Sequence, residues 1–173
     1  MEPAGPAYAG LTMATPIAIV GASEATAGAV TAAEAVGASL ASAGATIICG
    51  GLGGVMAAAC RGAKSVGGTT VGILPGRDRE AANQWVDVVI ATGLGEARNI
   101  LVVGSAAVVI AVGGEYGTLS EIALALRARI PVIGVGTWTL TRPDGERDSG
   151  IVPIEDPQEA AELALRLAAT LAD

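Results

Sequence analysis

From residue 16 onward, short unbroken apolar runs alternate with longer stretches in which apolar residues recur every three or four positions. The runs "IAIVGAS" (17–23), "TIICGG", "TTVGILPG", "VDVVIATG", "AVVIAVGG" and "PVIGVGTW" predict strands: they are rich in β-branched residues and end at glycine or proline. The periodic stretches between them predict helices. One covers 26–43, with Val30, Ala33, Gly37, Leu40 and Ala41 on a shared face and Gly44 as its stop. Others are "VMAAACRGAKSVG", a helix over 96–105, and "GTLSEIALALRAR", where Leu119, Ile122, Ala123 and Leu126 share a face. The loop "RPDGERDSG" reads as a surface turn before the short run "IVPI" and a last amphipathic helix over 157–172.

Strands that are apolar without alternation suit a parallel sheet covered on both faces. Repeated β-α units make that sheet doubly wound, with right-handed crossovers. The expected fold is α/β, a single Rossmann-like doubly wound parallel sheet flanked by helices. It forms one domain over 16–173, after a flexible leader over 1–15 in which Met13 is an alternative start. The leader carries Glu2 and no basic segment, so it does not read as a signal peptide. No stretch reaches the roughly 18 apolar residues of a membrane span. A cytoplasmic protein is expected.

Composition narrows the chemistry. Aromatic residues make up only 2% and Phe is absent, so Ala, Val, Ile and Leu must build the core. The net charge of −7 argues against nucleic acid and anionic membranes as partners. With no His, triads and most zinc or iron sites are excluded, and no metal held directly by side chains is expected. Cys49 and Cys60 lack a Cys-x-x-Cys spacing and read as reduced, partly buried thiols. Lys64 is the only lysine and has no supporting motif, which rules out pyridoxal phosphate and lysine decarboxylation.

The 25 glycines change the picture. Four strand ends run through glycine into a helix: at Gly21 to Ser23, at Gly50 to Gly54, at Gly93 to Gly95 and at Gly113 to Gly117. In a parallel sheet all four lie on one edge, where helix N-termini offer unpaired N–H groups and partial positive charge. Each loop alone could be a tight turn; together they predict a phosphate cradle. The dinucleotide signature Gly-x-Gly-x-x-Gly fails because Met56 stands where its last glycine belongs, and "RGAKS" lacks the Gly-Lys of a Walker loop.

In order and spacing, "CGGLGGVMAAACRGA", "TGLGEARN" and "VGGEYGTLSEIALAL" resemble the LOG-type superfamily, long labelled lysine decarboxylase-like. "GGTTVGILPG" and "EIALALRARIPVIGVGT" are similar to its molybdenum-cofactor carrier branch. The resemblance covers about 17–137 and implies a homodimer or homotetramer holding a small phosphorylated ligand. The carrier branch implies the molybdenum cofactor as cargo. The superfamily also implies an alternative, N-glycosidic phosphoribohydrolysis of nucleoside 5′-monophosphates. Three departures from the hydrolase pattern, Val112, Asn99 and Ala57, count against hydrolysis and leave phosphate binding intact.

The candidate ligand residues are Gly21, Ser23, Gly51, Gly53, Gly54, Val55, Met56, Arg98, Gly113, Gly114, Gly117, Thr118 and Glu121. Arg98 is the only cation in its apolar helix; the resemblance sends its planar fork to the phosphate, in preference to a pairing with Glu96. Glu121 reads two ways. Thr118 and Glu121 match a capping box, with Thr118 as N-cap. The hydrolase reading instead makes Glu121 and Arg98 catalytic, with the carboxylate facing a ribosyl transition state. Both roles stay open. Arg77, Arg79, Asn83 and Trp85 follow a strand and could wall the ring side of a ligand. The apolar stretch 100–103 predicts an exposed face and with it an oligomer.

Overall fold

The structure, a computed structural model, describes residues 14–172. The predicted leader lies outside the described residues except for its last two positions, and so does Met13. The chain order is β1 (Pro16–Gly21), α1 (Ala27–Ser42), β2 (Thr46–Cys49), α2 (Gly54–Ser65), β3 (Thr69–Leu74), β4 (Val88–Ala91), α3 (Asn99–Gly104), β5 (Val108–Val112), α4 (Tyr116–Arg127), β6 (Val132–Val135), β7 (Ile151–Pro153) and α5 (Pro157–Ala172).

The strands form one seven-stranded sheet in the order β4-β3-β2-β1-β5-β6-β7, and every pairing is parallel. Adjacent residues of β1 explain the missing alternation. Ile17 and Ile19 enter the core shared with α1, α2 and α5, while Ala18 and Val20 enter the core under α3 and α4. All four are buried, so each strand position needs an apolar side chain. The chain runs outward from β1 to β4, then returns to β5 on the other side of β1. That reversal is a switch point, where adjacent crossovers leave on opposite faces and open a crevice at the strands' carboxyl ends.

Glycine sets the closest helix contact. A Cβ on Gly37 of α1 would stand 2.1 Å from the Ala59 carbonyl oxygen, and one on Gly62 of α2 would stand 2.0 Å from that of Glu34. The two backbones therefore touch, with Arg61 Nε and Nη2 donating to the two Glu34 carboxylate oxygens at 3.0 and 2.6 Å beside the contact.

Several expectations change. The helix expected over 96–105 is a 3-10 turn, Gly95–Arg98, followed by α3. On α1, Val36 is buried and Val30 only half-buried, because α2 and α5 both cover this helix and widen its apolar stripe. On α4 the buried face is Thr118, Glu121, Ile122 and Ala125, and Ala123 is exposed. The face is turned because two polar residues point inward at the strand ends.

The capping box does not form. Gly113 and Gly114 take positive φ values of 55° and 118°, and the tight turn lets α4 begin at Tyr116 with Glu115 as N-cap. Thr118 is thus already the third helical residue, and Leu119 N–H donates to the Glu115 carbonyl at 2.9 Å. The loop after β6 is more than a turn. Thr141 and Arg147 make an antiparallel bridge, and Arg142 pairs with Asp148 at 3.0 Å.

Candidate functional site

At the switch point, the segment after β1, the glycine loop after β2, the 3-10 turn and the start of α4 enclose a cleft of about 150 Å³. Gly21, Ser23 and Met56 line it on one side; Arg98, Gly117, Thr118 and Glu121 line it on the other. The remaining candidates lie around it. Gly51 sits beneath the loop against Leu74 and Gly72, and Gly53 faces the Ser23 carbonyl. Gly54, with φ of 56°, lies against Ala22 and Ser23 so closely that a Cβ would stand 2.3 Å from the Ala22 carbonyl oxygen. Val55 is fully buried and its N–H already donates to Ala22 at 3.0 Å, so it has neither surface nor donor to offer. Gly113 and Gly114 line a neighbouring hollow instead.

Arg98 occupies the cleft floor with 7% of its surface exposed. Gly50 makes room for it, since a Cβ there would meet Nη2 at 2.6 Å and the Met56 sulfur at 2.8 Å. Its Nη1 donates to the side-chain oxygen of Asn99. Asn99 Nδ2 donates to Ser120 Oγ at 2.8 Å, and that hydroxyl donates to the Gly117 carbonyl at 2.7 Å. The chain of bonds ties the guanidinium to the first turn of α4. Arg98 Nε is buried and has no partner among the described residues, an exception to the pairing that buried donors normally find.

Glu121 Oε1 lies 3.7 Å from Arg98 Nη1. Burial pushes its carboxyl up to about 7; the Arg98 charge pulls it down, and Glu96 adds to the rise. The cleft thus holds one cation among three carboxylates, Glu96, Glu115 and Glu121. An anion entering it meets a favourable field only near Arg98 and the α4 N-terminus, and more so when Glu121 is protonated.

Sequence reasoning gives no site role to Asn99, Ser120 or Glu115, and weighs Glu96 only as a partner for Arg98. Asn99 and Ser120 are far apart in the chain, and no local pattern pairs them. Asn83, expected at the ring wall, instead braces the glycine loop: its side-chain N–H groups donate to the carbonyls of Gly51 and Leu52 at 3.2 and 2.9 Å. Arg77, Arg79 and Trp85 do not line the cleft. Cys49 and Cys60 are free and fully buried, with their sulfurs 3.5 Å apart beneath the same loop.

Known proteins share this arrangement of elements. The chain is similar to the molybdenum cofactor binding protein of the phototrophic bacterium Rippkaea orientalis, at 33% identity and a TM-score of 0.81, covering 90% of this chain and 98% of that one. It is similar to the molybdenum cofactor carrier protein of Chlamydomonas reinhardtii, at 34% identity and a TM-score of 0.77, covering 90% and 99%. An uncharacterized protein of Archaeoglobus fulgidus is 53% identical over 74 residues, 43% of this chain and 48% of that relative, so the match spans about half the relative's length. The SLOG cluster4 family profile matches residues 14–162, and with the seven-stranded parallel sheet this places the chain in the SLOG cluster4 family of the LOG-like superfamily.

Proposed function

We propose that the protein binds a phosphate-bearing, nucleotide-like ligand at the switch-point cleft, with the molybdenum cofactor as its cargo. The observation that carries this reading is the buried, unpartnered Nε of Arg98 beside the open first turn of α4. A phosphate oxygen would complete that donor, and the N–H groups of Gly117 and Thr118 would hold the rest of the phosphate. Gly53 and Gly54 would present the start of α2 from the opposite side, and Gly21 and Ser23 would close the wall. The likeness to two molybdenum cofactor proteins over nine-tenths of the chain supports the choice of cargo.

Calorimetry with GMP and with guanosine tests the phosphate. GMP should bind much more tightly, and equal affinities would overturn the reading. Mass spectrometry of the compound that co-purifies tests the cargo.

One observation favours a second reading. A carboxyl that titrates near 7 beside an arginine is suited to acid–base work at neutral pH, as cleavage of an N-glycosidic bond would require. Base release from a panel of nucleoside 5′-monophosphates separates the two. No release supports the carrier, whereas release that falls at least ~100-fold in Glu121→Gln establishes the hydrolase.

A further inference from the structure

The chain has two Trp and two Tyr, and its aromatic side chains are scarce enough for their placement to matter. Tyr116, the first residue of α4, is 80% exposed, and its ring pairs with Trp138 at a centroid distance of 5.7 Å, tilted by 39°. Trp138 Nε1 donates to the Glu115 carbonyl at 3.3 Å, which ties the indole to the turn that opens α4. Beside the pair lies a hollow of about 330 Å³, walled by Gly113, Gly114, Gly136, Thr137 and Trp138. All three glycines have positive φ, and a Cβ on Gly136 would meet nothing within 4 Å. The walls are therefore largely bare backbone, with Thr137 and one indole.

The phosphate cleft, about 150 Å³, is smaller than the roughly 300–1,000 Å³ of sites that take a whole small molecule, and the open hollow beside it adds about 330 Å³. Both flank the segment from Gly113 to Thr118, so one ligand can span them. From this juxtaposition we infer that the hollow seats the planar fused heterocycle of the ligand, stacked on Trp138 and covered by Tyr116. The inference rests on the phosphate-binding reading above for the other end of the ligand. Flat rings gain from stacking on aromatic faces whatever their substituents, and bare glycine walls admit a plane edge-on.

The test uses a Trp85→Phe background, which leaves Trp138 as the only tryptophan. GMP, guanosine and ribose 5-phosphate are titrated at up to millimolar concentration. GMP and guanosine should quench Trp138 emission, and ribose 5-phosphate should bind without quenching. By calorimetry, Tyr116→Ala and Trp138→Leu should each weaken GMP about tenfold or more and leave ribose 5-phosphate unchanged. GMP binding with unaltered Trp138 emission, or GMP affinity in both variants equal to that of the wild type, would overturn the ring seat. So would emission that ignores GMP and guanosine and responds only to protein dilution, since a second copy would then cover the pair. If guanosine still quenches but ribose 5-phosphate does not bind, the ring seat stands and the phosphate reading fails.

Discussion

Arg98 and Glu121 face one another at 3.7 Å with their side chains only 8% and 9% exposed. That separation is too long for a tight bidentate pair, and Arg98 keeps Nε without a partner. The carboxylate therefore competes for the arginine without satisfying it. Glu121 is neither a helix cap nor a simple ion-pair partner; its charge state decides how much of Arg98 an incoming anion can use.

Anion affinity should therefore depend on pH through Glu121. Below about 7 its carboxyl is protonated and Arg98 is available; above that value the carboxylate shares Arg98 and repels the ligand. Because a phosphate monoester also titrates near pH 6, the quantity to measure is the GMP affinity of wild type relative to Glu121→Gln. The two should agree at pH 5.5, and wild type should be weaker by about tenfold at pH 8.5, the scale of one unit of pKa coupling. A ratio independent of pH would refute the competition. Arg98→Ala should weaken GMP by roughly 10- to 100-fold at pH 5.5, the ~1.5–3 kcal/mol of a charged hydrogen bond, and by less at pH 8.5, where Glu121 shares the arginine.

The same carboxyl should cost stability. Its folded value, near 7, lies above the ordinary 4.5. The unfolded chain therefore releases this proton first. The contribution is fully present below about 4.5 and is lost as pH rises through 7. By pH 8 the loss is roughly 3 kcal/mol, at 1.36 kcal/mol per unit. Glu121→Gln should thus be more stable than wild type at pH 8 in urea unfolding, with the gap closing toward pH 4.5. Equal stabilities at pH 8 would refute the raised carboxyl, since the pull of Arg98 is already contained in the value near 7.

Much of the fold was legible because a sheet buried on both faces forces each strand to be apolar throughout, as Ile17 to Val20 show. The site was less legible. Apolar periodicity assigned Ala123 to the core side of α4, whereas Thr118 and Glu121 point inward there. The helix breaks its apolar pattern where it faces the cleft. The spacing of Thr118 and Glu121 imitated a capping box, and only the left-handed Gly113 and Gly114 reveal that the helix starts at Tyr116. The chain from Arg98 through Asn99 to Ser120 is tertiary, and no local signal marks it.

Two threonines separate capping from binding. Thr26 is a genuine N-cap, with Ala29 N–H donating to its Oγ1 at 3.3 Å. Thr26→Ala should cost about 1 kcal/mol and leave GMP affinity untouched. Thr118→Val replaces the hydroxyl of a cleft-lining residue with a methyl; it should weaken GMP while leaving the isolated α1 cap effect unmatched. Thermal melts and calorimetry on both variants check the assignment, and a reversed pattern would refute it.

Backbone contact between α1 and α2 makes two glycines indispensable. Gly37→Ala and Gly62→Ala each drive a methyl into a carbonyl, at 2.1 and 2.0 Å, with helix backbone on both sides and little room to yield. Each should lose at least ~2 kcal/mol, the upper part of the overpacking range. Gly28→Ala is the control, because a Cβ there meets nothing within 4 Å and alanine favours the helix. It should be neutral or stabilising by up to about 1 kcal/mol. Urea midpoints for the three variants decide the matter.

The outward side of α3 should be an interface between copies of the chain. Ile100 and Leu101 are 56% and 40% exposed, and Leu94, just before the 3-10 turn, is 53% exposed. On the edge strand β4 of the sheet, Val88 and Ile90 are also 48% and 44% exposed. Apolar side chains concentrated in this way gain by excluding water together, and a surface this apolar is covered in most soluble proteins. Light scattering should give two or four times the 16.9 kDa chain mass at micromolar concentration. The double variant Ile100→Glu, Leu101→Glu places like charges on that face and should shift the mass to one chain. Because both side chains are already exposed in the single chain, its far-ultraviolet circular dichroism should remain that of the folded protein. A wild type that scatters as one chain would show that the face is not an interface. A double variant that stays oligomeric would place the interface elsewhere.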